Sequence, residues 1–398
     1  MLVPIVTKKL PLLLGFLIAV GPLSTDMYLP AFPQIAADFQ NQAAPQISLA
    51  AYFIGLAVGQ MTQGALSDRL GRRSPLLAGL IIYTIASIGC AFCWSVSSFA
   101  VFRFLAALGC SAGVVIPRAM VRDLADGPAA AKLFSKLVLV MGVAPIVAPM
   151  LGAMVVSISN WRMIFVVAAL YGVLAVWLVW RKLPDTLPPE RRTRIGLVPV
   201  IVRYVNISRE RAFITHAAVG AFTSAALFAY LSATPQIFIG GYGWNTAEYA
   251  ALFGMNAVAY IGYNQMNPAL VSRFGIGPVI VFAVTTLVIS CLILVALALH
   301  PIGPWGVIAA LLISEIGFGL INPCAMVGAL SRHQAHAGSA SALLGTMQYT
   351  GGAVAGLAMG VLGNNTVGPM AVAMLACALA AAAAAWARPP LIFSPVES

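Results

Sequence analysis

Three ionisable side chains interrupt apolar stretches of this chain and are its first candidates for chemistry. Asp26 follows the apolar run that begins at Leu10, while Arg103 and Glu315 each lie inside a similar run. A buried carboxylate whose neighbouring cation can move away is a proton switch, because burial and a cation act on it in opposite directions. The rise along a helix places Asp26 and Arg103 at similar depth in the outer half. The sequence therefore predicts that these two residues meet and act together in proton coupling.

Other interpretations of these acids stay open. Asp26 and Arg103 form a permanent structural ion pair in one of them, and Asp26 ends a helix at the outer surface in another. The segment that follows Asp26, MYLPAFPQI, is apolar and favours burial. Glu315 is either a protonated acid bonded to a neighbouring helix, or a cavity residue that favours cationic or hydrogen-bond-donating substrates and takes a second proton.

The composition indicates which elements hold these charges. Of the 398 residues, 61% are hydrophobic and 8% are charged, and the mean hydropathy is +0.95. A soluble domain carries about 25% charged residues. Apolar runs of the ~20 residues that cross a bilayer recur along the whole chain. The sequence predicts an all-α membrane protein with 12 transmembrane helices near 10–32, 45–66, 75–94, 98–121, 133–156, 161–180, 212–238, 248–270, 278–299, 304–327, 337–362 and 368–387.

The basic residues predict the orientation of these helices. With a cytoplasmic N-terminus, every basic residue except Arg103, Arg118 and Arg162 falls in a cytoplasmic segment or at its edge. The positive-inside rule then places both termini in the cytoplasm. The net charge of +11 follows from this topology. The lipid bilayer is therefore the expected partner, and a nucleic acid is not.

The chain also contains an internal duplication. YLPAFPQI from Tyr28 recurs as YLSATPQI from Tyr230, ALSDRLGR from Ala65 recurs as ALVSRFGI from Ala269, and GVVIPRAM from Gly113 recurs as GLINPCAM from Gly319. Each copy contains an even number of spans, so the copies are parallel and place a substrate site between them. The predicted architecture is two parallel six-helix bundles, residues 1–180 and 212–398, joined by a cytoplasmic linker at 181–211.

The duplication separates charges that the fold requires from charges that it tolerates. Asp26, Asp68 and Arg118 align with Phe228, Ser272 and Cys324 in the second copy, and Glu315 aligns with Gly109. The fold thus accepts an uncharged residue at each place, which favours a functional role for the charges. The predicted substrate cavity contains polar and aromatic residues of both copies: Tyr28, Tyr52, Arg118, Tyr230, Asn256, Tyr260, Asn264, Glu315, Asn322 and Gln348.

Two further motifs predict moving parts. GALSDRLGRR, between the second and third spans, combines glycines that allow a tight turn with an acid and several arginines, and it predicts a conformational latch. The alternative is that the arginines only anchor the topology. The fifth span contains prolines one turn apart, which loosen a helix. The predicted latch is Gly64, Asp68, Arg69, Gly71, Arg72 and Arg73, and the predicted antiporter helix contains Pro145, Pro149 and Gly152.

Several classes of protein are excluded by what the sequence lacks. Cys90 and Cys93 form a C-x-x-C, but no second pair or histidine completes a metal site, so no metal and no cofactor are predicted. No nucleophile motif, zinc motif or phosphate-binding loop occurs. The sequence therefore predicts neither an enzyme nor ATP as the energy source.

The loop GALSDRLGRR resembles the signature loop of the major facilitator superfamily. PLSTDMYLPAFPQI, RFLAALGCSAGVVIPRAMVRD, GVAPIVAPMLG and LPDTLPPERR are similar to its Bcr/CflA branch of drug:proton antiporters, over the whole chain. In the antiporter motif, the usual Gly-Pro pair reads Ala144-Pro145 here. The resemblance implies that Asp26 is the proton-linked acid, Arg103 the buried arginine of the fourth helix, and Asp68 with its arginines the latch. Glu315 has no counterpart in the family.

The resemblance implies a bacterial inner-membrane protein, working as a monomer, that exports amphipathic drug-like compounds such as phenicols or bicyclomycin in exchange for protons. The alternative within transport is proton-coupled uptake of a small nutrient or metabolite, which requires substrate-specific polar groups in both halves.

Overall fold

The computed structural model describes residues 10–124, 127–192, 197–300, 303–333, 337–363 and 366–389. Throughout these ranges the chain is helical and contains no β-strand, which confirms the predicted all-α class. Lys8 and Lys9, which were used to orient the first span, and the end of the second predicted bundle beyond residue 389 lie outside the described residues.

Among its described residues, the first half of the chain forms eight helices. Its helices are α1 (Leu10–Ile18), α2 (Val20–Asp26), a 3₁₀ turn (Leu29–Ala31), α3 (Phe32–Asp38), α4 (Ala44–Leu70), α5 (Arg73–Ala91), α6 (Val96–Leu124), α7 (Gly127–Ile158) and α8 (Arg162–Lys182).

A linker and six helices follow. They are a 3₁₀ turn (Pro189–Arg191), α9 (Leu197–Arg209), α10 (Arg211–Pro235), a π-helical turn (Gln236–Gly241), α11 (Thr246–Phe274), α12 (Ile276–Leu299), α13 (Pro304–Leu330), α14 (Ala337–Leu362) and α15 (Val367–Trp386). We call α1–α8 the first half and α10–α15 the second half.

Ten helical segments of the described chain are long and apolar enough to cross a membrane. The first of these runs from Leu10 to Asp38, longer than the predicted 10–32, and it is broken into α1, α2 and α3. Helices α11 and α14 match the two remaining predicted spans in position and are 29 and 26 residues long. Both pack against the first half, α11 against α7 and α14 against α4, so part of each helix faces protein and not lipid.

Small residues set the close helix packing within the first half. Gly55 of α4 lies against the backbone carbonyl of Phe104 on α6, and Gly109 of α6 lies against the backbone of Gly79 and Tyr83 on α5. Lipid tails give no hydrophobic drive for association, so helices in a membrane rely on such close backbone contact. The same rule applies between the halves, where Gly356 and Gly360 of α14 face Ala50 and Gln46 of α4.

The linker contains a helix that the sequence reading missed. Within the predicted 181–211 linker, α9 (Leu197–Arg209) buries Tyr204 and Ile207 and leaves Ile201 exposed. The hydroxyl of Tyr204 donates to the carbonyl of Met61 at 3.2 Å, so this helix is fixed to α4. The first part of the linker is rich in proline and arginine. The helical spacing of apolar residues in its second part was therefore not predicted.

Candidate functional site

Asp26 lies where the first span is broken. Gly21 and Pro22 loosen the helix before it, and the proline at position 30 removes a backbone donor after it. Thr25 compensates for the weakened turn, since its hydroxyl donates to the carbonyls of Gly21 at 3.1 Å and Pro22 at 3.3 Å. This local sequence ends α2 at Asp26.

The carboxylate of Asp26 lies in the wall of a cavity between the two halves. The cavity has a volume of about 140 Å³ and is otherwise mostly apolar. Asp26 itself is only 9% exposed. An ionisable group at membrane depth is costly and usually faces a cavity. Both halves contribute to the wall, among them Phe53, Leu56 and Val114 of the first half and Phe228, Leu231 and Tyr349 of the second.

Three aromatic rings form one side of this cavity and join the halves. The ring centroids of Phe53 and Phe228 are 4.1 Å apart, and Tyr349 lies 6.1 Å from Phe53 and 6.3 Å from Phe228. Such rings offer flat apolar surface to an aromatic ligand and a negative face to a cation. Phe228 aligns with Asp26 in the duplication, so the two copies supply an acid and an aromatic ring to the same cavity.

Arg103 is enclosed elsewhere in the first half. Its guanidinium lies 4.2 Å from the ring centroid of Tyr28 and 4.1 Å from that of Tyr52, and it donates to the carbonyl of Ser24 at 3.1 Å. Arg103 is 1% exposed. The predicted contact between Asp26 and Arg103 is not present in this conformation. The arginine instead bonds to the backbone two residues before Asp26, so Tyr28 and Tyr52 surround the arginine and do not line the cavity.

The remaining predicted cavity residues lie in two places. Arg118 donates to the sulfur of Met141, a residue of the cavity wall, at 3.1 Å. Asn264 donates to the carbonyl of Gly319 at 3.4 Å, and Gln348 donates to Asn322 at 3.3 Å. Tyr230, Asn256 and Glu315 are buried within the second half, and Tyr260 is half-buried there. Asn264 of α11 therefore faces α13. Contact of the predicted cavity residues with substrate stays a prediction.

Buried amides join the halves where α4 begins and α10 ends. The side-chain amide of Gln46 donates to the carbonyl of Ser232 and to Gln236, both at 3.1 Å. Gln236 in turn donates to the carbonyl of Gln42 at 3.1 Å. Gln46 and Gln236 are almost fully buried. We call these residues the outer amide bridge, after the side on which the predicted topology places them; its hydrogen bonds join the first half to the second.

Sequence reasoning missed the outer amide bridge, although one signal was present. Gln236 lies in the repeated octapeptide, where its counterpart is Gln34. Gln34 is exposed and Gln236 is buried, so the repeat conserves the residue type but not the environment. The contact between distant segments could not be read from one sequence.

We expect Gln236→Ala to loosen the outer amide bridge, because it removes two of its three hydrogen bonds between the halves. Gln42→Ala is the matched control, since Gln42 contributes only its backbone carbonyl. Spin labels at Ser159 and Gly240, one exposed residue of each half, report the separation by double electron–electron resonance. The distance distribution should broaden toward longer distances in Gln236→Ala alone. Equal distributions in both variants would contradict a closing role.

The predicted latch is centred on Arg72. Its guanidinium forms an ion pair with Asp68, donates to Asp123 at 2.7 and 3.2 Å, and donates to the hydroxyl of Ser67 at 3.0 Å. Burial opposes the charge of Arg72, but the hydrogen bonds and charges of Asp123 and Asp68 outweigh it and raise the pKa of the guanidinium. Arg72 is thus held as a cation between α4 and the end of α6.

The other predicted latch residues have different environments. Arg73 donates to the carbonyl of Trp180 at 2.6 Å, while Arg69 is exposed. Gly64 lies beside Val115 of α6. Gly71 has φ of +89°, a conformation that favours glycine, and an added side chain would meet Asp185.

The linker extends this cluster. Asp185 accepts a hydrogen bond from the backbone N–H of Arg72 at 2.8 Å and pairs with Arg192 at 3.0 Å. Thr186 donates to Asp123 at 2.9 Å. The segment LPDTLPPERR therefore binds the loop between α4 and α5. Its likeness to family sequences was recognised, but its contact with this loop was not predicted.

Asp185→Ala should lower stability, because Arg72 N–H and Arg192 lose their acceptor next to the N-terminus of α5. The expected loss is about 1 kcal/mol. Glu190→Ala, an exposed acid of the same linker, is the control. Thermal unfolding of the purified variants measures the difference. A melting temperature of Asp185→Ala equal to that of Glu190→Ala would show that the linker contact contributes nothing.

Helix α7 passes directly behind the Asp26 segment. It continues through Pro145 and Pro149 as one helix, and its Gly152 lies against the backbone carbonyl of Met27. Because Met27 follows Asp26, α7 packs against the backbone next to the acid. The predicted antiporter helix is thus in direct contact with the predicted proton site.

A bundle of membrane-length helices with a cavity between two halves is typical of a transporter, and the comparisons with known proteins agree. The family model described as Major Facilitator Superfamily matches residues 14–356. The chain belongs to the major facilitator superfamily, a family of transporters and not enzymes.

Several bacterial proteins are similar to this chain over more than nine-tenths of its length. The chain is 33% identical to the uncharacterized MFS-type transporter YdgK of Bacillus subtilis, covering 93% of this chain and 92% of the relative. It is 30% identical to a bicyclomycin resistance protein homolog of Haemophilus influenzae, covering 92% of each. It is 24% identical to the multidrug resistance protein MdtL of Citrobacter koseri, covering 91% of each. These relatives confirm the family that the motifs indicated.

Solved structures show the same fold. A crystal structure of a D-xylose-proton symporter matches with a TM-score of 0.75 and 15% identity, covering 94% of this chain and 96% of that one. The nucleoside transporter NupG matches with a TM-score of 0.72 and 13% identity, covering 96% and 98%. At this identity the likeness extends to the fold alone.

Proposed function

We propose that this protein exports amphipathic drug-like compounds across the bacterial inner membrane in exchange for protons. The observation that carries the proposal is the carboxylate of Asp26 in the wall of an apolar cavity between the halves. The cavity contains a negative charge when Asp26 is deprotonated and is neutral when Asp26 is protonated. Proton binding and substrate binding are thereby coupled in one site.

The cycle follows from that coupling. Deprotonated Asp26 favours substrate capture from the cytoplasmic side, and protonation from outside favours release and return. The outer amide bridge supports capture from the inside, because it holds the two halves together at the end that this proposal places outside. Alternating access then comes from rocking one half against the other. The cluster around Arg72 and its linker lies at the opposite end, where it stabilises one conformation of the cycle.

The cavity wall supports an amphipathic substrate. Its aromatic and aliphatic side chains suit a lipophilic body, while Asp26 offers one polar contact. Relatives named for bicyclomycin and multidrug resistance agree with this class. Uptake of a small polar nutrient would require substrate-specific polar groups from both halves, whereas Phe228, Leu231 and Tyr349 supply mainly apolar surface.

The membrane arrangement belongs to the same proposal. We assign twelve spans by adding α11 and α14 to the ten apolar ones, with both termini in the cytoplasm. Residues 1–180 and 212–398 act as two bundles, residues 181–211 act as a cytoplasmic linker, and the protein works as a monomer. Asp26 is the proton-linked group, and Arg103 positions the α2 backbone beside it through Ser24.

Drug susceptibility in a bacterial host that lacks its own exporters tests the substrate class. The chain is expressed beside the Asp26→Asn variant at equal membrane levels, and a panel of phenicols, bicyclomycin, lipophilic cations and sugars is compared. Raised inhibitory concentrations for amphipathic compounds with the parent chain alone support export. Improved growth on a small nutrient, without resistance, would support uptake instead.

A further inference from the structure

Helix α9 of the linker has a second apolar face, which points away from the protein. Tyr204 and Ile207 form the buried face, and Tyr204 bonds to α4. Residues three and four positions apart share one side of a helix. By this rule Ile201, Val202 and Val205 lie together, and their side chains are 57%, 51% and 42% exposed. An exposed apolar face of this kind marks a site of interaction with a protein or a membrane.

The anchor of α9 places it beside the spans and not beyond their ends. The hydroxyl of Tyr204 donates to the carbonyl of Met61. About 13 Å of helical rise separates Met61 from Leu70, where α4 ends. A tyrosine side chain and one hydrogen bond are together shorter than this rise. Leu66 and Leu70 of the same stretch are 41% and 47% exposed, so α9 lies at a level where α4 itself presents apolar side chains outward.

Arginines border the exposed apolar face. Arg209 lies one turn beyond Val205 on the same side of α9 and is exposed, while Arg203 is half-buried. In the described part of the chain, neither arginine forms an ion pair. Glu210 follows Arg209 but pairs with Arg332 at 3.5 Å. The charge next to the apolar face is therefore positive.

This combination favours a lipid surface as the partner. An apolar face bordered by arginines is typical of a helix that lies in the headgroup layer of a bilayer. The spans α8 and α10 flank the linker along the chain and keep α9 close to the membrane. Anionic lipids of the cytoplasmic leaflet attract basic segments next to a span. Both the apolar and the charged side chains of α9 thus fit the same ligand.

We propose that α9 is a binding site for anionic phospholipid. Ile201, Val202 and Val205 insert at the boundary of the acyl chains, and the guanidinium groups of Arg203 and Arg209 donate to lipid phosphates. The inference goes beyond the proposed transport function, and only the choice of the cytoplasmic leaflet rests on the membrane arrangement proposed above. Because α9 contacts α4 of the first half and α10 and α14 of the second, the bound lipid touches the element that joins both halves.

Fluorescence quenching tests whether the exposed face is inserted. The fluorescent amino acid Anap is introduced at Val205 of the full chain, which is reconstituted in nanodiscs of phosphatidylglycerol and phosphatidylcholine. Glu190, an exposed linker residue outside α9, is the control position. We expect spin-labelled lipid to quench Anap at Val205 and not at Glu190, and aqueous iodide to do the reverse. Equal quenching by iodide at both positions would place the face in water, and protection from both quenchers would show that protein covers it; either result overturns the proposal.

Titration with soluble short-chain lipids tests the choice of headgroup. Dihexanoyl-phosphatidylglycerol, dihexanoyl-phosphatidylcholine and glycerol phosphate, an anion without acyl chains, are compared by the emission of Anap at Ile201 in the purified full chain. The phosphatidylglycerol should bind most tightly. Arg209→Gln should weaken its binding about fivefold, the effect of removing one cation near an anionic surface. Arg209→Lys, which keeps the charge, should bind as the parent chain does.

Three results of this titration would overturn the proposal. They are equal affinity for phosphatidylcholine, equal affinity for glycerol phosphate, and unchanged affinity in Arg209→Gln. Both experiments are performed without substrate and without a proton gradient, so a failure of the proposed export would leave their results unchanged.

Discussion

Asp26→Asn is expected to fold and insert normally and to lose proton-driven export. Asparagine keeps the volume and polarity of the side chain but has no titrating proton. A gradient of one pH unit supplies about 1.4 kcal/mol per proton, or about tenfold accumulation of an exchanged substrate. In the variant this accumulation should fall to about onefold, because the cavity has the same charge whether it opens to the cytoplasm or to the outside. Transport of a fluorescent amphipathic substrate into inverted membrane vesicles measures it.

The control for this variant is Glu190→Gln, which makes the same chemical change at an exposed position of the linker. It should accumulate substrate as the parent chain does. Equilibrium binding of substrate by Asp26→Asn should persist, since the aromatic wall is unchanged. Full accumulation by Asp26→Asn would remove this residue from the coupling mechanism, whatever the substrate.

Gly152→Ala should disturb both stability and transport, since its new Cβ would meet the backbone carbonyl of Met27. A carbonyl cannot rotate away as a flexible side chain does, so α7 or the Asp26 segment must move. Overpacking of this kind costs about 1–3 kcal/mol. The melting temperature and the rate of substrate transport should therefore both fall.

Gly262→Ala is the matched control for that variant. Gly262 lies in the helix α11, and a Cβ added there has no neighbouring atom within 4 Å. It makes the same change in a helical glycine without a collision, and alanine favours the helix. If Gly152→Ala melted and transported like Gly262→Ala, the contact between α7 and Met27 would not matter to function.

The sequence predicted the helices well because their length and apolarity follow from the bilayer alone. Helices α11 and α14 show where this rule weakens, since polar side chains that bond to α13, such as Asn264 and Gln348, lower their apolarity. Both were predicted as spans even so, from the apolar runs near 248–270 and 337–362. The breaks in the first span were not predicted, because proline and glycine in membranes loosen helices without always ending them.

The candidate site was predicted only in part, for a geometric reason. Depth in the membrane can be counted along a helix, and Asp26 and Arg103 were expected to meet on that basis. The direction of each side chain around its helix depends on how the helices pack, which a single sequence does not contain. Arg103 consequently lies among tyrosines, bonded to the Ser24 carbonyl. The outer amide bridge and the Asp185 contact were missed for the same reason.

Substrate-dependent proton movement in proteoliposomes tests the central claim most directly. The purified chain is reconstituted with a pH-sensitive dye inside the vesicles, and an outward substrate gradient is imposed without any initial pH difference. The account predicts that substrate flow drives protons in the opposite direction with the parent chain, and that Asp26→Asn produces no pH change. Proton movement in the same direction as the substrate, or equal proton movement by Asp26→Asn, would contradict it.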